Sequence, residues 1–249
     1  MQKFVGRVLT AFAFFVALVL TPSANAASIT IAPDSLFGYI PLSAFGVTPT
    51  PIGDEQIINF NVPDFQWAGQ TWNRIGIDSN GYAVVGGGSS VDNTFLPSAF
   101  PNAAAPNNVL APFWTDLDPG QGGGVLATVL TDGVNSWIVV DWAQVPVFGT
   151  NNTKSFEIWL GINGVEDITF AYGPNMNTAV NGQPLGIGAE DASGTVGANY
   201  LGALTDLRVS SEGFVAPPEV PLPAALPLFA TGLGALGLLG WMRKRKAVA

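Results

Sequence analysis

Alternating apolar and polar residues are the dominant pattern in the middle of the chain. In residues 155–162 (SFEIWLGI), every second side chain from Phe156 to Ile162 is apolar, so an extended strand would carry them on one face. Asn163-Gly164 follows, a pair that favours a two-residue hairpin turn because both positions accept positive φ. Residues 165–172 then alternate again. The pattern predicts an antiparallel β-hairpin.

Comparable runs between residues 27 and 216 predict further strands. They lie at 56–62, 74–78, 82–86, 124–130, 135–142, 185–190, 196–201 and 207–214. Turn-forming pairs such as Asn80-Gly81 and Asp132-Gly133 separate the runs, and no stretch of this region has a convincing helical period. We therefore predict an all-β fold, an antiparallel β-sandwich of ten or more strands.

The first 26 residues have the pattern of a secretory signal peptide. Lys3 and Arg7 precede the apolar stretch 8–20, and Ala24-Asn25-Ala26 is a small-x-small cleavage site. The signal helix would be removed, so the exported domain would begin at Ala27. A retained N-terminal anchor is the alternative, although the apolar stretch is shorter than the ~20 residues that span a bilayer.

The C-terminal region has the pattern of a single transmembrane helix with a short cytoplasmic tail. A proline-rich segment, 217–223, precedes the run 224–242 (AALPLFATGLGALGLLGWM), which has no charged residue. As a helix this run would span about 28 Å, close to the thickness of the hydrocarbon core. Four cations follow and would stop transfer: Arg243, Lys244, Arg245 and Lys246. They place residues 243–249 in the cytoplasm and residues 27–216 outside.

Three parts of this end, in this order, resemble the PEP-CTERM sorting signal of Gram-negative bacteria. They are the tetrapeptide Val220-Pro221-Leu222-Pro223, the apolar run and the basic cluster. Leu222 stands where the family's usual tetrapeptide has Glu. The resemblance implies recognition by an exosortase, a transpeptidase of the inner membrane. That enzyme would remove the membrane helix and deliver the domain to the surface, often in bacteria that make exopolysaccharide. An ordinary stop-transfer anchor with a proline-rich stalk is the alternative.

Composition narrows the chemistry open to the exported part. The chain has no Cys and no His, which excludes disulfides, thiolate nucleophiles, Ser–His–Asp triads and metal sites built on imidazole. Residues 27–216 carry seventeen acids and three bases, so their net charge is near −14. Such a surface is a poor partner for nucleic acid, which requires a basic footprint. If the exported part is an enzyme, its catalysis must therefore depend on carboxylate or hydroxyl groups; otherwise it is not an enzyme.

The centre of the chain resembles a second known domain. The ordered elements are 80–82 (NGY), 105–108 (APNN), 110–119 (LAPFWTDLDP), 139–142 (VVDW), 155–158 (SFEI), 167–170 (DITF) and 187–191 (IGAED). They resemble the extracellular β-domain appended to many secreted bacterial proteins, including subtilisin-like peptidases, and nidogen-type domains. The resemblance covers residues 74–201. It implies an accessory, non-catalytic module and carries no catalytic residue with it.

Asp116 and Asp118 are candidate calcium ligands. Residues two apart at the end of a strand share one side, and calcium prefers carboxylate oxygens. The alternative is that both acids cap the turn at Pro119-Gly120. No twelve-residue calcium-loop spacing occurs, and no other cofactor is expected.

Trp159 is a candidate platform for a sugar ring. It would share a strand face with Glu157, opposite the apolar set. Glu157 should therefore face solvent, and an open face would expose the Trp159 ring as well. If a second layer covers that face, Trp159 belongs to a core instead. A glycosidase with paired carboxylates is a further alternative. The acids available for it are Asp141, Glu157, Glu166 and Asp167.

Taken together, these patterns predict a non-enzymatic, exported surface or extracellular-matrix protein. It would be a single-pass intermediate in the inner membrane, with its domain in the periplasm, until an exosortase cleaves it. The released domain would then have a structural or adhesive role linked to exopolysaccharide. A carbohydrate-binding module is the alternative function.

Overall fold

The computed structural model describes residues 26–34, 38–174 and 176–214. Within them, twelve β-strands form two antiparallel sheets, which confirms the predicted all-β fold. The strands are β1 (Ser28–Pro33), β2 (Ile57–Trp67), β3 (Gln70–Asp78), β4 (Ala83–Val85), β5 (Val109–Trp114), β6 (Gly124–Thr131), β7 (Ser136–Pro146), β8 (Thr153–Gly161), β9 (Ile168–Tyr172), β10 (Gly186–Glu190), β11 (Gly197–Asn199) and β12 (Leu207–Glu212). Two short 3-10 turns cover Leu42–Phe45 and Pro119–Gln121.

Each sheet contains six strands. The first sheet has the order β1-β12-β9-β8-β7-β6, and the second has the order β11-β10-β5-β4-β3-β2. The inner faces of both sheets contribute to one central hydrophobic core, whose aromatic members include Phe65, Phe113, Trp142, Phe156 and Phe170. Large aromatic side chains bury the most apolar area per residue, so this layer is the main source of hydrophobic stabilisation.

The outer face of each sheet is covered by a long connection. Residues 38–47, here called the covering segment, place Leu42 on the first sheet against Trp137 and Trp159. The connection between β4 and β5 covers the second sheet, where Phe100 packs with Tyr82 and Trp114. Much of each sheet is therefore buried on both faces.

The hairpin predicted from residues 155–172 is present, but its turn is longer. β8 and β9 pair in the register Phe156↔Tyr172 to Leu160↔Ile168, with the predicted alternate side chains in the core. The two-residue turn at Asn163-Gly164 is wrong, because the strand return begins only at Ile168. Glu166 and Asp167 lie outside strand β9, and their carboxylates bind groups on other segments.

Two strands have no counterpart in the sequence prediction. β5 (VLAPFW) is buried at all six positions, so it lacks the alternation of a half-buried strand. β1 is a short edge strand that pairs only with β12 within its sheet. Its hydrogen-bonding partner is about 180 residues away in the sequence, and no local pattern encodes that pairing.

Several predicted segments lie outside the described residues. They are most of the signal peptide, the proline-rich segment 217–223, the apolar run 224–242 and the basic tail 243–249. Among the residues that the structure describes, no helix is long and apolar enough to cross a membrane.

Candidate functional site

One end of the second sheet brings together two of the sequence motifs. The turn between β3 and β4 contains Asn80-Gly81, and β5 runs directly into Thr115 and Asp116. The amide of Thr115 donates to the carbonyl of Asn80 at 3.1 Å, and the amide of Leu117 donates to Oδ1 of Asn80 at 3.0 Å. These bonds hold the chain beyond β5 against the β3–β4 turn.

Gly81 makes this approach possible. Its φ is +82°, and a Cβ built at this position would lie 2.2 Å from the carbonyl oxygen of Phe113. The amide of Phe113 also donates to the carbonyl of Gly81 at 3.3 Å. Only a residue without a side chain satisfies both the left-handed backbone and the close contact.

Three carboxylates meet at this end. Asp54 and Glu55 come from the segment before β2, and Asp116 follows β5. One oxygen from each lies within 4.8 Å of the other two. Asp54 and Glu55 are exposed, whereas Asp116 is only 8% exposed. We call these three residues the acidic cluster.

The carboxyl groups of the acidic cluster have raised pKa values. Burial is the main cause that raises the pKa of each of the three carboxyl groups. Neighbouring acids add to this effect: Asp118 raises the pKa of Asp54 and of Asp116, and the charge of Asp54 also acts on Glu55. Three convergent carboxylate oxygens are a donor set that a hard divalent cation can use.

Asp118 has a different role from the one predicted. Its Oδ1 accepts the amide of Gly120 at 2.8 Å and its Oδ2 accepts Nε2 of Gln121 at 2.6 Å, so it caps the 3-10 turn Pro119–Gln121. The turn-capping alternative therefore describes Asp118, while Asp116 joins Asp54 and Glu55. Sequence reasoning missed those two acids because they are far away in the chain and belong to no shared motif.

A second pair of acids lies under the covering segment. Asp141 on β7 and Glu157 on β8 are direct cross-strand partners, and both are fully buried. Asp141 accepts hydrogen bonds from the Tyr39 hydroxyl and the Leu42 amide, each at 3.1 Å. Glu157 accepts the amide of Ile40 at 3.1 Å. The prediction that Glu157 faces solvent is wrong, because the covering segment binds this face of the sheet.

Burial changes the protonation of this pair. It raises the pKa of Asp141 to about 6 and that of Glu157 to about 8. Oε1 of Glu157 has no hydrogen-bond partner within the described residues, which fits a carboxyl group that is protonated near neutral pH. Two full charges side by side would be costly here because neither can reach water.

The four acids considered for glycoside hydrolysis are thus engaged in holding segments together. Asp141 and Glu157 bind the covering segment. Glu166 accepts from the amides of Ala68 and Ser211, and Asp167 accepts from Trp137 and Arg208. Each of the four acids therefore connects its strand or loop to another segment through hydrogen bonds.

Trp159 lies in the same covered layer. It is 3% exposed, its indole N–H donates to Oε2 of Glu157 at 2.9 Å, and its ring meets Trp137 edge-on at 6.1 Å between centroids. A sugar platform needs an open ring face, so this placement does not fit the platform prediction. Trp67, Trp114 and Trp142 are also fully buried.

These features define an all-β domain of two antiparallel sheets whose outer faces are closed by their own connections. Residues 39–216 match the family described as NIDO related, and the chain belongs to that family. This confirms the nidogen-like character expected for residues 74–201. The match begins inside the covering segment and includes Asp54 and Glu55. Neither the curated proteins nor the solved structures contain a match to the chain.

Proposed function

We propose that this chain is an exported surface or matrix protein whose NIDO-related domain is released after cleavage at both ends. The proposal rests on the signal-peptide pattern at 1–26 and on the resemblance of residues 220–246 to a sorting signal. The domain then acts without catalysis, in a structural or adhesive role linked to exopolysaccharide.

The observation that supports this most is the pairing of the first and last described strands. β1 and β12 run antiparallel, with Ser28 opposite Glu212. Cleavage after Ala26 would leave β1 whole, and cleavage within 217–223 would leave β12 whole. Both proposed processing events would therefore spare every described strand.

The same pairing gives the domain one attachment point. The entry into β1 and the exit from β12 lie side by side at the edge of the first sheet. A domain held through its C-terminal end would thus keep the rest of both sheets away from the anchor. Such an arrangement is compatible with a domain that is first anchored to a membrane and then released by cleavage within 217–223.

The role of the C-terminal tetrapeptide can be tested in a bacterium that encodes an exosortase, together with a strain that lacks it. The wild-type chain should appear shortened outside the cells of the first strain and remain in the membrane fraction of the second. The variant Pro221→Ala/Pro223→Ala should remain in the membrane fraction of both strains, because the recognition motif is lost.

The variant Pro217→Ala/Pro218→Ala is the matched control, since it loses two prolines just before the motif. It should be processed like the wild type. Equal release from both strains, or normal processing of Pro221→Ala/Pro223→Ala, would contradict the sorting proposal.

A further inference from the structure

We propose that strand β6 pairs with β6 of a second copy of this chain, in antiparallel register about a two-fold axis at Val129. This pairing involves only the described domain, so it does not depend on export or processing. We call residues 127–131, the part of β6 that would pair, the open edge.

The backbone groups of every second residue in β6 face away from the rest of the sheet. β6 is the last strand of the first sheet, and its ladder neighbour is β7. On the opposite side, the amide of Thr50 donates to the carbonyl of Val125 at 2.8 Å. The N–H and C=O groups of one residue point the same way in an antiparallel strand, and the β6–β7 register has no shift. The groups of Ala127, Val129 and Thr131 therefore face outward like those of Val125.

These outward groups have no backbone partner within the described part of the chain. No described residue outside the ladder donates to or accepts from the backbone of Ala127, Val129 or Thr131. The open edge is limited at one end by the contact with Thr50 and at the other by the connection 132–135. A row of unpaired N–H and C=O groups is a template for another strand.

Each of the other three sheet edges carries a feature that opposes pairing. β2 contains Pro63 and Asp64, and its register with β3 shifts between Asn61 and Phe65. β11 has only 3 residues, and β1 ends at Pro33 and lies against β11. Short strands, prolines, charges and bulges protect edges from pairing. β6 has 8 residues, no proline, no charged residue and no register shift, so it lacks all four features.

The open edge is complementary to itself. A second copy related by a two-fold axis at Val129 would place Val129 opposite its counterpart and Ala127 opposite Thr131. Each such pair exchanges two backbone hydrogen bonds, so the open edge would form about six in total. All of its outward groups would then be paired, and a longer strand would gain no further pair beyond Thr50 or the connection 132–135.

The side chains of this edge add an apolar contact. Val129 is 46% exposed and, with Phe60, Val62 and Ala127, lines a groove of about 150 Å³ between β6 and β2. Residues directly opposite each other in antiparallel strands have Cβ atoms about 4.5–5.5 Å apart. The two Val129 side chains would therefore pack on each other at the mouth of the groove.

The distribution of charge favours a second copy over a different partner. Residues 27–216 have a net charge near −14, so two such domains repel each other across their acidic faces. β6 and the residues that line the groove carry no charge, and the repulsion is weaker there. A basic partner would be attracted to the acids elsewhere, whereas an uncharged edge matches another uncharged edge.

The proposed contact is small, so the dimer should be weak. A contact between two short strands falls below the about 1,200–2,000 Å² that stable protein interfaces bury. Dimers should therefore form only at high chain concentration. Salt should favour them, because it screens the repulsion between two acidic domains.

The absence of cysteine from the chain allows a position-specific test. In Val129→Cys, the only two thiols of a dimer would lie opposite each other, within reach of a short bismaleimide cross-linker. We expect the purified full-length variant, in detergent micelles, to give a cross-linked dimer. Its fraction should rise with chain concentration and with added NaCl.

Val134→Cys is the matched control, because Val134 is 88% exposed and lies beyond the open edge in the connection 132–135. In the proposed dimer the two Thr131 residues are already about 13 Å apart along the strands, and the two Val134 residues lie further apart. The cross-linked fraction of Val134→Cys should therefore be about tenfold lower than that of Val129→Cys.

A second pair of variants tests the interface without a thiol. Val129→Glu places two like charges opposite each other at the two-fold axis, whereas Val134→Glu adds the same charge outside the open edge. In sedimentation of the full-length chain, Val129→Glu should stay monomeric at concentrations where the wild type and Val134→Glu form dimers. If Val129→Glu does not fold, the cysteine pair decides alone.

Equal cross-linking of the two cysteine variants would overturn the proposal, since it would show a contact that does not involve the open edge. The proposal is also overturned if Val129→Cys gives no cross-linked dimer at the highest soluble concentration, as expected for an edge that binds a different protein. A folded Val129→Glu chain that dimerises like the wild type would have the same consequence.

Discussion

Gly81 and Gly164 have nearly the same backbone conformation in very different surroundings. Their φ angles are +82° and +79°. A Cβ at Gly81 would lie 2.2 Å from the carbonyl oxygen of Phe113, whereas nothing lies within 4 Å of the equivalent position at Gly164. The pair therefore separates the cost of a left-handed backbone from the cost of a steric clash.

We predict that Gly81→Ala destabilises the domain far more than Gly164→Ala. A left-handed alanine costs about 1–2 kcal/mol, and this is the whole effect expected at Gly164. The clash with Phe113 should add about 1–3 kcal/mol at Gly81, as overpacking does in a filled core. Urea unfolding of the two variants measures this difference. Equal losses of stability would show that the β3–β4 turn can move away from β5.

At the scale of the element, the covering segment is held by two carboxyl groups whose protonation depends on pH. Asp141 and Glu157 accept the hydroxyl of Tyr39 and the amides of Ile40 and Leu42. Burial is the main cause that raises the pKa of Glu157; hydrogen bonds from Trp159 and Ile40 lower it, and the charges of Asp141 and Asp206 raise it further. No cation is among these causes. Raising the pH therefore charges a layer that has no counterion within the described residues.

The sign of the pH effect follows from the direction of the shifts. The pKa of Glu157 rises to about 8 in the folded chain, above its value of about 4.3 in an unfolded chain. Between these values the unfolded chain has released its proton and the folded chain still holds it. The contribution of Glu157 to stability is complete below the unfolded pKa and is lost as the pH rises through 8.

We predict that the wild-type domain loses stability as the pH rises from about 5 to about 8, by a few kcal/mol, since one pKa unit corresponds to about 1.4 kcal/mol. Glu157→Gln should flatten part of this slope because the amide mimics the protonated acid. The rest should persist, since burial also raises the pKa of Asp78 to about 8 and that of Glu190 to about 7.

Thermal unfolding across that pH range checks the prediction. Glu212→Gln, at an exposed acid that ends β12, should follow the wild-type profile. A wild-type stability that stays flat or rises towards pH 8 would contradict the account of the covering segment. So would a Glu157→Gln profile with the full wild-type slope.

At the scale of the whole molecule, the sequence pattern predicts features set by neighbouring residues but not those set by contacts between distant segments. Alternation predicted the inward faces of β8 and β9 because each face depends only on neighbours within the strand. The same alternation misplaced Glu157, because the segment that covers it is more than 100 residues away and no strand pattern encodes a second layer.

The acidic cluster also depends on contacts between segments that are distant in the sequence. Asp116 was found from its motif, whereas Asp54 and Glu55 join it only through the meander of strands β2 to β5. β5 was missed because burial on both faces removes the period on which strand prediction depends. The sequence thus predicts the half-buried strands whose side chains alternate, and it predicts poorly the fully buried strand β5 and any site that is assembled from distant loops.

The boundaries of the folded domain are compatible with the proposed export and cleavage of the protein. The described strands begin at Ser28 and end at Glu212, between the predicted signal cleavage site and the proline-rich segment 217–223. If the chain is exported and processed, the part left outside is the two-sheet domain with its covering connections.

The most direct test of this account is the intact mass of the protein recovered from the surface or medium of cells that make an exosortase. We predict a first residue of Ala27 and a last residue within 217–223. Recovery of the unprocessed chain from the cytosol, with Met1 and the basic residues 243–246 still in place, would contradict it.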